Sequence, residues 1–208
     1  AQGGGQTDCI TDGDADTKVC ADTSSLDTDQ IFFNTEGVLR WVMKENALEP
    51  KNDKASVFIG RGNGRAASFP ADGNVAIGDS AFVHSTIGRA NTAIGRGAQR
   101  FNTSGSNNVA IGYASLYTNA EKSELVAVGD SALYFNSTGA SDPYHAYGNT
   151  AVGSRSMLKN TIGSRNSAIG WRSLYNNTTG TDNTAMGSLS LNENTNGSDN
   201  TAIGSYAL

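Results

Sequence analysis

The sequence predicts an all-β chain: a parallel β-solenoid of 17-residue coils behind a small N-terminal β module. Three observations predict it. Glycines preceded by an apolar residue recur at a fixed interval. The positions around them repeat in chemical type. Gly and Asn, which tolerate left-handed backbone and so mark tight corners, number 25 and 21, while only 17% of residues are charged.

The interval carries most of the weight. Gly60, Gly78, Gly95, Gly112, Gly129, Gly153, Gly170, Gly187 and Gly204 are separated by 18, 17, 17, 17, 24, 17, 17 and 17 residues. From Gly78 on, the residue before each is apolar (Ile77, Ile94, Ile111, Val128, Val152, Ile169, Met186, Ile203), and the one before that is always Ala. Three positions after the Gly the side chain is Ala or Ser. Four after it stand Phe82, Gln99, Leu116, Leu133, Met157, Leu174, Leu191 and Leu208, apolar with one exception. A second Gly recurs ten positions on, with Lys122 the exception.

Thr-Ala-Ile alternates with period two, as a strand does, and the glycines would break any helix. A strand, a Gly corner, a second short strand and a Gly-Asn corner make one coil. Each coil pairs in parallel with the next at about 4.8 Å, stacking identical columns into ladders. The large apolar columns are expected to fill the coil. The small columns leave no room for a larger side chain and are expected where another chain approaches. So thin a coil buries little apolar area, so a homotrimer is expected, with Ala110, Ala127, Ala168 and Ala185 in its seam.

The net charge of -5 lacks the basic face a nucleic-acid partner needs, and no run approaches the roughly 18 apolar residues of a membrane span. Cys9 and Cys20, the only cysteines, suit a small disulfide loop in an oxidising compartment, with two free thiols the alternative. The chain starts at Ala1 without Met, as a secreted chain does after its leader is removed and as any trimmed chain does.

The expected organisation is a flexible N-terminus over residues 1–9, a β capping or docking module over 10–52, and the solenoid over 53–208. Strands are expected at 17–19, 30–33 and 38–43, with a turn at 34–37. Phe58, where later coils have Ala, marks the junction. Asp12, Asp14 and Asp16 alternate like the start of a calcium loop, but Thr17 and Thr23 replace its Gly and Glu, so a solvated turn is expected.

Catalytic chemistry is not expected. The two histidines, His84 and His145, fall in different coils, so they build neither a metal cluster nor a triad. Asp182 and Asp199 share a column, but read as solvated neighbours and not as a hydrolytic pair. No enzyme activity, cofactor or metal follows. Two surface features stand out. Arg155 and Arg172 share a column beside Trp171, their stems expected to cover apolar surface. The 24-residue interval places seven extra residues, 140–146, after Gly139. With Tyr144, His145 and the adjoining Tyr147 they form the candidate ligand-binding loop; a neutral insertion is the alternative.

Asn-Val-Ala-Ile-Gly (74–78), Asn-Thr-Ala-Ile-Gly (91–95 and 200–204) and Asn-Ser-Ala-Ile-Gly (166–170) resemble the head repeats of trimeric autotransporter adhesins. They are also similar to repeats of bacterial and phage tail-fibre-like surface proteins. The resemblance covers residues 74–208. It implies a left-handed parallel β-roll, three chains in a rod, and a secreted, cell-surface location. Adhesin heads commonly have a shorter period, which implies a longer outer corner here. Residues 10–19 and 29–33 resemble a module that precedes such repeats in secreted fibre proteins.

The expected function is therefore an extracellular structural fibre subunit with an adhesive role and an unspecified surface or glycan receptor. The chain stops halfway through a repeat, so head-to-tail self-association through the front module is a further expectation. The alternatives are a phage tail-fibre-type receptor-binding protein and an ice-binding solenoid. The second rests on Thr92, Thr150, Thr184 and Thr201 sharing a column, which also holds Val75, Val109, Val126 and Ser167.

Overall fold

The structure is a computed structural model. It describes the backbone of residues 8–11, 17–21, 31–35, 38–44 and 47–50, and residues 56–63 and 72–208 in full. The chain divides into two units, Ala1–Ser56 and Val57–Leu208.

In the first unit five strands form an antiparallel meander in sequence order: β1 (Asp8–Thr11), β2 (Thr17–Ala21), β3 (Ile31–Thr35), β4 (Val38–Lys44) and β5 (Ala47–Pro50). β2 to β4 coincide with the β-branched and aromatic runs. The outer strands β1 and β5 lack such runs, and β1 begins inside the segment expected to be flexible. Cys9 faces Cys20 across the β1–β2 pair. Directly opposed antiparallel residues lie about 4.5–5.5 Å apart at Cα, inside the span a disulfide bridges, so the backbone permits the expected loop. Residues 1–7 and the Asp12, Asp14 and Asp16 turn lie outside the described residues.

The second unit is a β-solenoid of parallel three-residue strands, one per coil. They are β6 (Val57–Ile59), β7 (Val75–Ile77), β8 (Thr92–Ile94), β9 (Val109–Ile111), β10 (Val126–Val128), β11 (Thr150–Val152), β12 (Ser167–Ile169), β13 (Thr184–Met186) and β14 (Thr201–Ile203), stacked in sequence order. The register sets each central residue on its counterpart, as in Ala110 on Ala127 and Ala168 on Ala185. No helix occurs among the described residues.

The second strand expected in each coil is replaced by a turn. From Gly78 to Gly187, the residues two and four places after the strand-ending Gly take left-handed dihedrals, as in Ser131 (φ 54), Leu133 (φ 51), Arg172 (φ 53) and Leu174 (φ 49). Such conformations cost non-glycine residues on the order of 1 kcal/mol each. Here they let alternate N–H groups bond to the neighbouring coil: Ala114 to Arg96 O at 2.9 Å, Leu116 to Ala132 O at 3.0 Å, Thr118 to Tyr134 O at 3.1 Å. A hydrogen-bonded stack thus forms there without β dihedrals.

Period two also decides what lies inside. With three residues per strand, the central Ala points inward and both flanking residues point out. Ala110, Ala127, Ala168 and Ala185 are 0% exposed within a single chain, so the expected seam is corrected: these alanines line the coil interior. They pack there in one cluster with Leu116, Leu133, Met157 and Leu174, and the coil is too thin for anything larger opposite Leu. The Ile column, expected inside, lies outside, with Ile111 37%, Ile169 42% and Met186 42% exposed.

Two buried asparagine ladders complete the core. In the first, Asn91 N–H donates to Asn74 Oδ1 at 2.9 Å, and Asn91 Nδ2 donates to Gly105 O at 2.9 Å. The pattern recurs at Asn166 and Asn183. In the second, Asn177 Nδ2 donates to Asn160 Oδ1 at 2.9 Å and to Gly180 O at 3.0 Å. Coil stacking thus pairs most of the polar interior, leaving Asn102 Oδ1, Asn119 Oδ1 and Gln99 Oε1 without a partner.

Candidate functional site

The long coil interrupts the solenoid surface. Asn136 Nδ2 donates to Ala146 O at 2.9 Å, the bond its counterpart Asn160 makes to Gly163 O. Ala146, 0% exposed, therefore occupies the second-Gly column. The inserted residues are 139–145, one place earlier than the sequence alignment put them. Gly139, at φ 76 with open space about its Cα, belongs to the loop.

The loop is firmly held. Lys122 Nζ donates to Asp142 O at 2.7 Å, Tyr144 N–H to Asp142 Oδ1 at 2.8 Å, and Ser164 Oγ to Tyr144 O at 2.7 Å. Arg165 Nη1 donates to Tyr147 Oη at 2.9 Å and packs its guanidinium 5.7 Å from that ring's centre. Arg165 also pairs with Asp182, Nε to Oδ1 at 2.7 Å. That hydrogen bond is the main cause holding the Asp182 carboxyl below its usual range. Asp79, bonded to Arg61, is lowered in the same way.

Between the loop and the preceding coils lies an open groove of about 550 Å³, lined by Glu121, Lys122, Ser123, Glu124, Asp142 and both loop tyrosines. Of the three residues proposed from sequence, Tyr144 and Tyr147 come together, rings edge to face with centres 6.3 Å apart. His145 does not line the groove; it is half-buried and its Nδ1 has no hydrogen-bond partner. The sequence reading missed Glu121, Lys122 and Glu124. The available signal was Lys122, which breaks the second-Gly column one coil before the insertion.

A second surface feature also went unread. His84, Phe101, Tyr117, Tyr134 and Phe135 form an unbroken run of ring contacts across four coils, with centres 4.7–5.1 Å apart. Two of these contacts are stacked and two edge-to-face, while His84, Phe101 and Phe135 remain exposed. Arg172 sets its guanidinium over Trp171 at 4.7 Å and over Tyr175 at 5.1 Å, a cation–π contact where packing of the stem was expected. Arg155 instead reaches Asp130 at 3.9 Å.

Among the described residues no group of His, Cys, Asp and Glu is placed to hold a metal, and no helix is long and apolar enough to cross a membrane. The class defined by fold and site is a β-solenoid with a polar groove beside one rigid loop. Comparison with family models, with curated proteins and with solved structures finds no match to the chain.

Proposed function

We propose that the chain is an extracellular structural fibre subunit with an adhesive role, three copies packing side by side through the outward Ile/Val columns. The observation that carries this reading is the continuity of the column. It runs from Ile59 through Ile111, Ile169 and Met186 to Ile203, one residue per coil, and at these five positions is 37–72% exposed. Nine strands at about 4.8 Å per step make a stripe about 38 Å long. An apolar stripe of that length on a monomer marks an interaction surface.

Every coil rises by the same step, so columns of neighbouring chains can lie in register. In a ring of three about an axis parallel to the solenoid, each stripe meets both others and closes the layer. The likeness of Asn-Thr-Ala-Ile-Gly to adhesin head repeats supports the rod, and the facing Cys9 and Cys20 support an oxidising, extracellular setting. In this reading the front module caps or docks, and the adhesive contact falls on the insertion loop. The solenoid is not proposed to catalyse a reaction.

Sedimentation equilibrium tests the assembly. The full chain should run as a trimer. Ile111→Lys with Ile169→Lys should run as a monomer with an unchanged β circular-dichroism spectrum, because both side chains face outward. Ala168→Leu should instead lower the melting temperature by overfilling the coil, at a cost of roughly 1–3 kcal/mol. A monomeric wild type, or a trimer that survives both lysines, would overturn the reading.

A further inference from the structure

We propose that the groove beside the insertion loop binds a neutral oligosaccharide, with the Tyr144 ring as its stacking platform. The inference rests on the adhesive part of the reading above and names its ligand class; the assembly part stands apart from it.

The argument starts from a contrast within one loop. Its backbone is tied at Asp142, Tyr144 and Ala146 by bonds of 2.7–2.9 Å to Lys122, Ser164 and Asn136. Tyr147 is fixed by Arg165 through its hydroxyl. The Tyr144 ring alone is left in solvent, 75% exposed. Beyond its edge contact with Tyr147 this ring buries little for the fold, yet the backbone that carries it is held, so it meets a ligand at little entropic cost.

The groove around it supplies the rest of a sugar's chemistry. A pyranose offers a face of C–H groups, which packs on an aromatic ring, and a rim of hydroxyls, which donate to carboxylates. Glu121, Glu124 and Asp142 line the groove with Ser123, and its volume of about 550 Å³ gives room for a short oligosaccharide. Asp142 already accepts the Tyr144 N–H through one oxygen, which fixes its orientation.

Charge narrows the class. Three carboxylates face one ammonium, and the Lys122 ammonium is already donated to the Asp142 carbonyl. Acidic sugars and phosphates are therefore repelled. The carboxylates do not converge on one point, since no acidic cluster fit to hold a cation forms among the described residues. The Tyr147 ring is also occupied by Arg165. A spread of acceptors with one free ring suits the distributed hydroxyls of a neutral sugar better than the single charge of a basic peptide.

Saturation-transfer NMR and calorimetry on the full chain test this, with chitotriose, maltotriose and globotriose as probes and sialyllactose and tri-lysine as controls. At least one neutral trisaccharide should bind, with sialyllactose weaker by roughly tenfold. Tyr144→Ala should weaken that binding by about tenfold or more without changing the melting temperature. Tyr206→Ala, which removes a ring 72% exposed in the last coil, should leave it unchanged. Equal binding by Tyr144→Ala overturns the proposal. Tri-lysine bound in preference, and lost with Tyr144→Ala, overturns the sugar while keeping the loop adhesive. No binding by any probe, with sedimentation still giving a trimer, overturns the sugar and leaves the assembly reading intact.

Discussion

Asn166 stands directly on Asn149. Its backbone N–H donates to the Asn149 side-chain oxygen at 2.9 Å, and its own NH₂ donates to Gly180 O in the next coil, also at 2.9 Å. Its side-chain oxygen in turn accepts the Asn183 N–H at 2.9 Å. One buried amide therefore ties three successive coils. Asn166→Asp keeps the shape but removes the donor and buries a charge, so it should cost about 3 kcal/mol or more at neutral pH. Thermal melting measures it, and the deficit should shrink as acid protonates the new carboxyl. A variant that melts with the wild type would mean the ladder contributes nothing to stability.

The corner glycines are required by space as well as by dihedral. A methyl group on Gly112, at φ 130, would drive into the carbonyl of Gly129 in the next coil. Gly139, at φ 76, would meet nothing within 4 Å. Gly112→Ala should therefore cost more than about 3 kcal/mol, from clash and dihedral together, and Gly139→Ala only about 1 kcal/mol, from the dihedral alone. Urea denaturation of the two variants checks the difference. Equal costs would show that dihedral strain alone selects glycine in this column.

Much of this was legible in the sequence because a solenoid repeats its physics. Columns of Gly, Ala and Leu gave the coil length, the stacking and the absence of helix. The inward or outward sense of each column was not legible. Ala168 is small both because a seam would need it and because a thin coil needs it, and only the three-residue strand length decides that Ile169 faces out. The turn was misread as a strand because Leu133 and Leu174 at φ 51 and 49 occupy a conformation their residue type disfavours. Stacking imposes it, and a single coil does not reveal stacking. The groove was half legible: the insertion pointed to Tyr144, while Glu121 and Glu124 join it only through coil geometry.

Gln99 is the polar exception in the leucine column. It is 0% exposed, its Nε2 donates to Thr92 O at 3.1 Å and Asn108 O at 3.2 Å, and its Oε1 has no partner. Asn108 O keeps the Thr92 N–H at 2.8 Å without it. Gln99→Leu should therefore stabilise the solenoid by about 1–2 kcal/mol, by removing an unsatisfied buried oxygen from an apolar stack. The urea midpoint should rise with an unchanged slope. A lower midpoint would mean the amide's two bonds outweigh its orphaned oxygen.

Tyr134 sits in the ring run with Tyr117 stacked on it at 4.9 Å and 10°. Burial, then the neighbouring Tyr117 and Tyr113, push its phenol above the ordinary value of 10.0. The sign follows from linkage. A raised folded value means the unfolded chain releases this proton first, so the stability it confers is full below pH 10. It is lost as pH rises from there through the folded value. Absorbance at 295 nm should therefore show a late component among the seven tyrosines, and Tyr134→Phe should remove it. The same variant should lose less stability than wild type between pH 10 and the end of that component. A titration in which all seven ionise together, or in which Tyr134→Phe leaves a late component of the same size, would show that the stack does not protect this phenol.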